Sequence, residues 1–161
     1  MPKIIIHTDG GARGNPGEAA IGVYIQDEKG KVVAQIGKKI GKTTNNVAEY
    51  TAVIEALKWV VLNRSEKLEV RSENLKWDMG RFDRIEFYLD SVLVVQQLNR
   101  IFRIKEPHLK DLALQVWDLE SEIKIPISYH SVRREQNREA DRLVNEALDN
   151  KSYLSSRLSS G

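Results

Sequence analysis

The stretch Lys3-Ile4-Ile5-Ile6-His7-Thr8-Asp9-Gly10-Gly11-Ala12-Arg13-Gly14 decides how the rest of the chain is read. Three consecutive isoleucines predict a buried strand, because β-branched side chains suit a pleated surface covered on both sides. The run stops at a carboxylate, and glycines follow at once. A strand held in the core fixes the position of Asp9 at its end. Gly10, Gly11 and Gly14 leave the backbone bare, so another backbone or a ligand can come close. An acid on a rigid support beside an open glycine surface is a place for chemistry. The plainer reading is that Asp9 only caps a turn, and the choice depends on whether other acids join it.

Length and composition narrow the classes. A chain of 161 residues is one domain with room for a core. The hydrophobic fraction of 41% and charged fraction of 30% are those of a soluble globular protein. No apolar run reaches membrane-spanning length and Met1-Pro2-Lys3-Ile4 lacks signal-peptide anatomy, so a cytoplasmic setting without membrane contact is expected. There are no cysteines, which excludes disulfides and thiolate metal sites; any metal must be held by oxygen or imidazole. A net charge of +2 does not by itself announce a nucleic-acid binder; its distribution matters more.

Outward from the opening stretch, Asn15-Pro16-Gly17 signals a turn, and Ile21, Val23 and Ile25 alternate as a second strand. Asp27-Glu28-Lys29-Gly30 is a polar turn and Val32 to Ile40 a third strand, completing an antiparallel meander. Glycines at 37 and 41 suggest that this third strand lies at an edge. Lys42-Thr43-Thr44-Asn45-Asn46 marks a helix start, and Tyr50, Val53, Ile54, Leu57 and Val61 form its apolar stripe. Glu49 is placed in the first turn, where acids favour the helix dipole. Residues 65–83 form a densely charged insertion, read as a solvated excursion.

Ile85-Glu86-Phe87-Tyr88-Leu89-Asp90-Ser91 repeats the opening logic, a strand ending in Asp that turns into a short helix. A further helix starts at about Pro107, and Ile123, Ile125, Ile127 and Tyr129 alternate as a fifth strand that Pro126 assigns to an edge. Ala140, Leu143, Val144 and Ala147 stripe a last helix with Asp141 in its first turn. The domain spans residues 1–150, and the serine-rich tail over 151–161 is expected to fray. His7 reads as a packed core residue, His108 as helix surface, and Trp59 and Trp117 as apolar-face residues. Arg133, Arg134, Arg138 and Arg142 cluster near Asp141 and read either as phosphate contacts or as a solvated face.

The order β-β-β-α-β-α-α-β-α describes a mixed sheet with helices on its faces. If the strands ending in Asp9 and Asp90 are parallel neighbours, their acids meet at the edge where open α/β sheets bind ligands. Carboxylates converging there repel one another unless cations neutralise them, and all-oxygen ligands suit Mg²⁺ or Mn²⁺. Two such ions make a phosphodiester-cleaving device, one activating water and one stabilising the leaving oxygen.

Thr8-Asp9-Gly10-Gly11, Thr44-Asn45-Asn46-Val47-Ala48-Glu49, Leu89-Asp90-Ser91 and Asn137-Arg138-Glu139-Ala140-Asp141 together resemble the signatures of type 1 ribonuclease H, in that family's order and over nearly the whole chain. The resemblance implies the ribonuclease H fold, an α/β five-stranded mixed sheet, three antiparallel strands then parallel, with helices on both faces. It implies a monomeric enzyme that cuts the RNA strand of RNA/DNA hybrids, with Asp9, Glu49, Asp90 and Asp141 as ligands for two Mg²⁺ ions, Mn²⁺ being a substitute. It places Gly10, Asn15, Asn45 and Asn46 near the RNA strand, Lys42 and Thr44 near a DNA phosphate, and Arg134 among the substrate contacts. The family's mobile histidine corresponds to His130, or its task falls to Arg133 or Arg134. The chain departs from the family pattern in the insertion before Asp90, and it is too short between Asp90 and Asp141 for the basic helix with which some members grip hybrids. A DNA-directed nuclease of the same fold and an inactive hybrid-binding module are the alternatives; the Thr-Asn-Asn stretch argues against the first and the full set of acids against the second.

Overall fold

The computed structural model describes residues 2–63, 82–150 and 153–156. Strands β1 (Lys3–Gly14), β2 (Gly17–Asp27) and β3 (Val32–Thr43) form the expected antiparallel meander. Helix α1 (Asn45–Asn63) follows, and then β4 (Arg84–Leu89), α2 (Val92–Leu98), α3 (Pro107–Ile123) and β5 (Ile127–Ser131). A 3₁₀ turn (Arg134–Gln136), α4 (Arg138–Leu148) and β6 (Tyr153–Ser156) complete the order. The charged insertion expected over 65–83 lies, except for its last two residues, outside the described residues.

β4 pairs parallel with β1 and β5 parallel with β4, so the mixed sheet expected of β3-β2-β1-β4-β5 is present. It has one more strand than expected. β6 pairs antiparallel with β3 from Ala34 to Gly37, making the order β5-β4-β1-β2-β3-β6. Thus residues 153–156 are not frayed and β3 is not an edge, because the tail supplies partners for its outer N–H and C=O groups. β5 is the edge that Pro126 predicts, and its carbonyl accepts from the Ile85 N–H at 2.9 Å. The strand is shorter than the apolar alternation suggests: α3 runs through Ile123, and Lys124 closes it in the left-handed region (φ 62°).

The pleat sorts the two sheet faces. Ile4, Ile6, Val23 and Ile25 point to one face, where they pack with Tyr50, Val53 and Leu57 of α1, Phe87 and Leu89 of β4, and Val116 of α3. Each such fully buried side chain contributes roughly 1.5–3 kcal/mol, which holds β1 rigid up to Asp9. The other face carries α4, whose Val144 and Ala147 pack with Ala20. Gly22 makes that approach possible: a Cβ there would stand 2.1 Å from the Ala140 carbonyl oxygen. Among the described residues no helix is long and apolar enough to cross a membrane.

Candidate active site

β1 and β4 are in parallel register with His7 opposite Tyr88, so Asp9 and Asp90, each two residues on, lie side by side. Asp90 follows the last residue of β4, whereas Asp9 is not the strand end that the sequence suggests, because β1 stays paired with β2 as far as Gly14. Gly10 brings in the third acid. A Cβ at Gly10 would lie 2.2 Å from the Ala48 carbonyl carbon and 2.5 Å from the Glu49 nitrogen, so only a bare backbone lets α1 come this close. The Gly10 N–H then donates to Asp9 Oδ1 at 3.0 Å and to Glu49 Oε1 at 3.3 Å. Carboxylate oxygens of Asp9, Glu49 and Asp90 lie within 4.8 Å of one another. Asp141, in the first turn of α4, lines the same cleft of about 370 Å³. Glu49 itself is in the second turn of α1, not the first, because the helix starts at Asn45. Its position therefore owes nothing to capping and everything to the contact with Gly10.

Burial at the cleft floor makes these acids costly to ionise. Asp9 is 7% exposed and its pKa is raised from 3.8 to about 7, chiefly by burial and then by the charge of Asp90, with a smaller push from Asp141. Burial and the charge of Asp9 lift Glu49 well above the usual carboxylate range. Asp90 is raised by burial as well, with the Arg134 guanidinium and the Asn137 amide pulling it back and Asp141 pushing it up. One buried oxygen, Glu49 Oε2, has no hydrogen-bond donor among the described residues. An all-oxygen donor set with a buried carboxylate oxygen left unsatisfied fits a hard divalent cation. The turn-cap reading of Asp9 does not describe this geometry.

The RNase H family model matches residues 1–149. The chain belongs to the RNase H family. It is 36% identical over 147 residues to the ribonuclease HI of Halobacterium salinarum, covering 91% of this chain and 65% of that protein. It is 35% identical over 148 residues to the bifunctional protein Rv2228c of Mycobacterium tuberculosis, of which it spans 36%. Among solved structures it resembles LC11-RNase H1 in complex with an RNA/DNA hybrid, with TM-score 0.78 and 41% identity, covering 91% of this chain and 97% of that one. The recognition as a type 1 RNase H and the expected fold class both stand.

In this RNase H chain the expected substrate residues divide into two groups. Gly10, Asn45, Asn46 and Arg134 line the cleft with the four acids, whereas Asn15, Lys42, Thr44 and His130 do not. Asn15 and Thr44 build the wall instead. Asn15 Oδ1 accepts from the Asn45 N–H at 3.0 Å, and Thr44 Oγ1 accepts from the Val47 N–H at 3.3 Å. Asn45 Oδ1 accepts from the Ala12 N–H at 2.8 Å, tying the start of α1 to the end of β1. Lys42 stands on β3 opposite Glu18. His130 is exposed on β5, its Nε2 2.9 Å from Ser128 Oγ and its ring stacked on Tyr88 at 5.2 Å. Of the arginines read as phosphate contacts, Arg142 is committed elsewhere, to Glu139, Glu146 and Gln35. His7 is half-buried rather than a core residue, stacked on Tyr88 at 5.3 Å, with burial holding its pKa below the ordinary value against the hydrogen bond that it donates to Asn137. His108 is exposed, and Trp59 is buried, as expected. Asn137 heads the motif that ends in Asp141, yet sequence reasoning assigned it no role of its own; it is 1% exposed at the back of the site. Its local signal, an Asn ahead of a helix, points to a cap and not to the interior.

Proposed function

We propose that this chain is an endoribonuclease that hydrolyses the RNA strand of RNA/DNA hybrids, leaving 5′-phosphate and 3′-hydroxyl ends. The observation that carries the reading is the meeting of Asp9, Glu49 and Asp90 oxygens within 4.8 Å in a chain of the RNase H family. Asp9, Glu49, Asp90 and Asp141 hold the metal in this reading, and Mg²⁺ or Mn²⁺ bound there supplies the charge that activates water and stabilises the departing 3′-oxygen.

The chain's own residues prepare that chemistry. Burial raises the pKa of Asp9 to about 7 and lifts that of Glu49 well above the usual carboxylate range, and a bound cation favours the charged form of both. The Gly10 N–H holds one oxygen of each at a defined place, which leaves Glu49 Oε2 for the ion. Arg134 lies beside Asp90 and lines the cleft, where it attracts the scissile phosphate. Asn45 and Asn46 offer amide groups that both donate and accept, as recognition of a 2′-hydroxyl requires. Lys42 makes a more distant phosphate contact, and His130 aids departure of the product. The protein acts as a monomer in the cytoplasm, a setting in which a chain without cysteine needs no disulfide.

One gel decides the main point. Labelled RNA is presented in a hybrid, in duplex RNA and as a single strand, beside a hybrid labelled on its DNA strand, with and without Mg²⁺. Cleavage confined to the hybrid and dependent on the metal is expected. Cleavage of the DNA strand would replace the reading with a DNA-directed nuclease, and tight binding without cleavage would replace it with a binding module.

A further inference from the structure

Asn137 is the N-cap of α4, and asparagine at that position ordinarily turns its side chain onto the free N–H groups of the first helical turn. Here it makes no such bond. The side chain turns inward and is 1% exposed. Its Nδ2 donates to the Thr8 carbonyl at 2.9 Å, the peptide group immediately before Asp9. Its Oδ1 lies 3.1 Å from His7 Nδ1; since Oδ1 only accepts, His7 carries its proton on that nitrogen. The same amide is near enough to Asp90 to act against the rise of that carboxyl's pKa. Meanwhile the Asn137 carbonyl accepts from the Asp141 N–H at 3.1 Å. One residue thus ties the strand that carries Asp9 to the start of the helix that carries Asp141, with Asp90 beside it.

From this juxtaposition we infer that Asn137 is a positioning residue that holds Asp9, Asp90 and Asp141 in the mutual geometry a bound cation requires. The helix gives up a side-chain cap in exchange, which a residue with a purely local structural role would not do. The amide is suited to the place because a carboxylate would repel Asp90 and has no hydrogen to donate to the Thr8 carbonyl. Hydrogen-bonding partners of metal-ligating carboxylates fix ligand orientation in this way.

The inference rests on the nuclease reading above, and its test separates the two. The full chain is compared with Asn137→Ala, Asn137→Asp and Leu143→Ala, the last being a control that removes a buried α4 side chain that does not line the cleft. Asn137→Ala should weaken Mn²⁺ binding, measured by calorimetry without substrate, by about 10–100-fold and lower kcat by a similar factor, with KM little changed. Asn137→Asp keeps the shape and the acceptor but has no N–H for Thr8 or Asp90, so it should lose kcat alike even if the alanine variant does not fold. Leu143→Ala should melt lower yet keep wild-type Mn²⁺ affinity and kcat. A folded Asn137 variant with wild-type kcat overturns the inference, and so does a loss that Leu143→Ala matches. If the wild-type chain cleaves no hybrid, the nuclease reading fails, and the Mn²⁺ titrations of Asn137→Ala against wild type still decide the role of Asn137.

Discussion

Neutralising Asp9 should make the metal-free protein more stable while destroying its site. The Asp9 carboxyl is raised from 3.8 to about 7, first by burial and then by the charge of Asp90. At 1.36 kcal/mol per unit this amounts to roughly 4 kcal/mol set against ionisation in the folded state. Asp9 is 7% exposed, so solvent does little to screen it. The sign follows from linkage. A carboxyl whose folded pKa lies above its unfolded one carries no penalty below pH 4; the penalty grows from about pH 4 to 7 and is fully present above 7. Asp9→Asn removes it, less about 1 kcal/mol for imperfect replacement of the Gly10 hydrogen bond. The variant should therefore be more stable than wild type in EDTA at pH 8 by on the order of 1–3 kcal/mol, a rise in Tm of several degrees for a chain of this size. At pH 4 that advantage should be gone, leaving the variant less stable than wild type by the hydrogen-bond cost of about 1 kcal/mol. Mg²⁺ binds only the folded state and should raise the wild-type Tm more than that of the variant. The assay is thermal melting of both proteins at pH 4 and pH 8, with EDTA or with Mg²⁺. If Asp9→Asn melts lower in EDTA at pH 8 and gains as much from Mg²⁺ as wild type, Asp9 is a structural cap and the reasoning fails.

Four other outcomes follow from the same geometry. Gly10→Ala places a methyl 2.2 Å from backbone atoms of α1, and should cost at least about 3 kcal/mol in urea denaturation and separate Glu49 from Asp9, abolishing metal-dependent stabilisation. Tyr50→Phe leaves the buried Gln97 Oε1 without the hydroxyl that now donates to it at 2.8 Å, and should destabilise by about 1–2 kcal/mol with kcat unchanged. Lys42→Ala should lower the slope of log affinity for hybrid against log salt by about 1, whereas Asn45→Ala should leave the slope and reduce the preference for RNA over DNA at the cut strand; equal slopes in wild type and Lys42→Ala would remove Lys42 from the interface.

Sequence alone determined the elements from β1 to α4 in their order, and which element carries each acid. The isoleucine run of β1, the alternation in β2 and β4 and the stripe of α1 are local patterns, and a local pattern states which face of an element must be buried. Placing Asp90 at the end of an apolar strand, and Asp141 in a first helical turn, needs nothing more than those boundaries, whereas β1 continues past Asp9 because β2 stays paired with it to Gly14. What tertiary structure decided is where side chains with more than one local use are spent. Glu49 belongs to the site because α1 can approach a bare Gly10, a contact between residues 39 apart in the chain. Asn137 reads locally as a cap and is turned inward by Thr8, His7 and Asp90. Arg142 reads as a phosphate contact and is used up by Glu139, Glu146 and Gln35. β6 reads as a frayed tail and pairs with the open side of β3. In each case the local preference is worth only about 1 kcal/mol, while leaving a buried polar group unpaired costs more, so the distant partner sets the outcome.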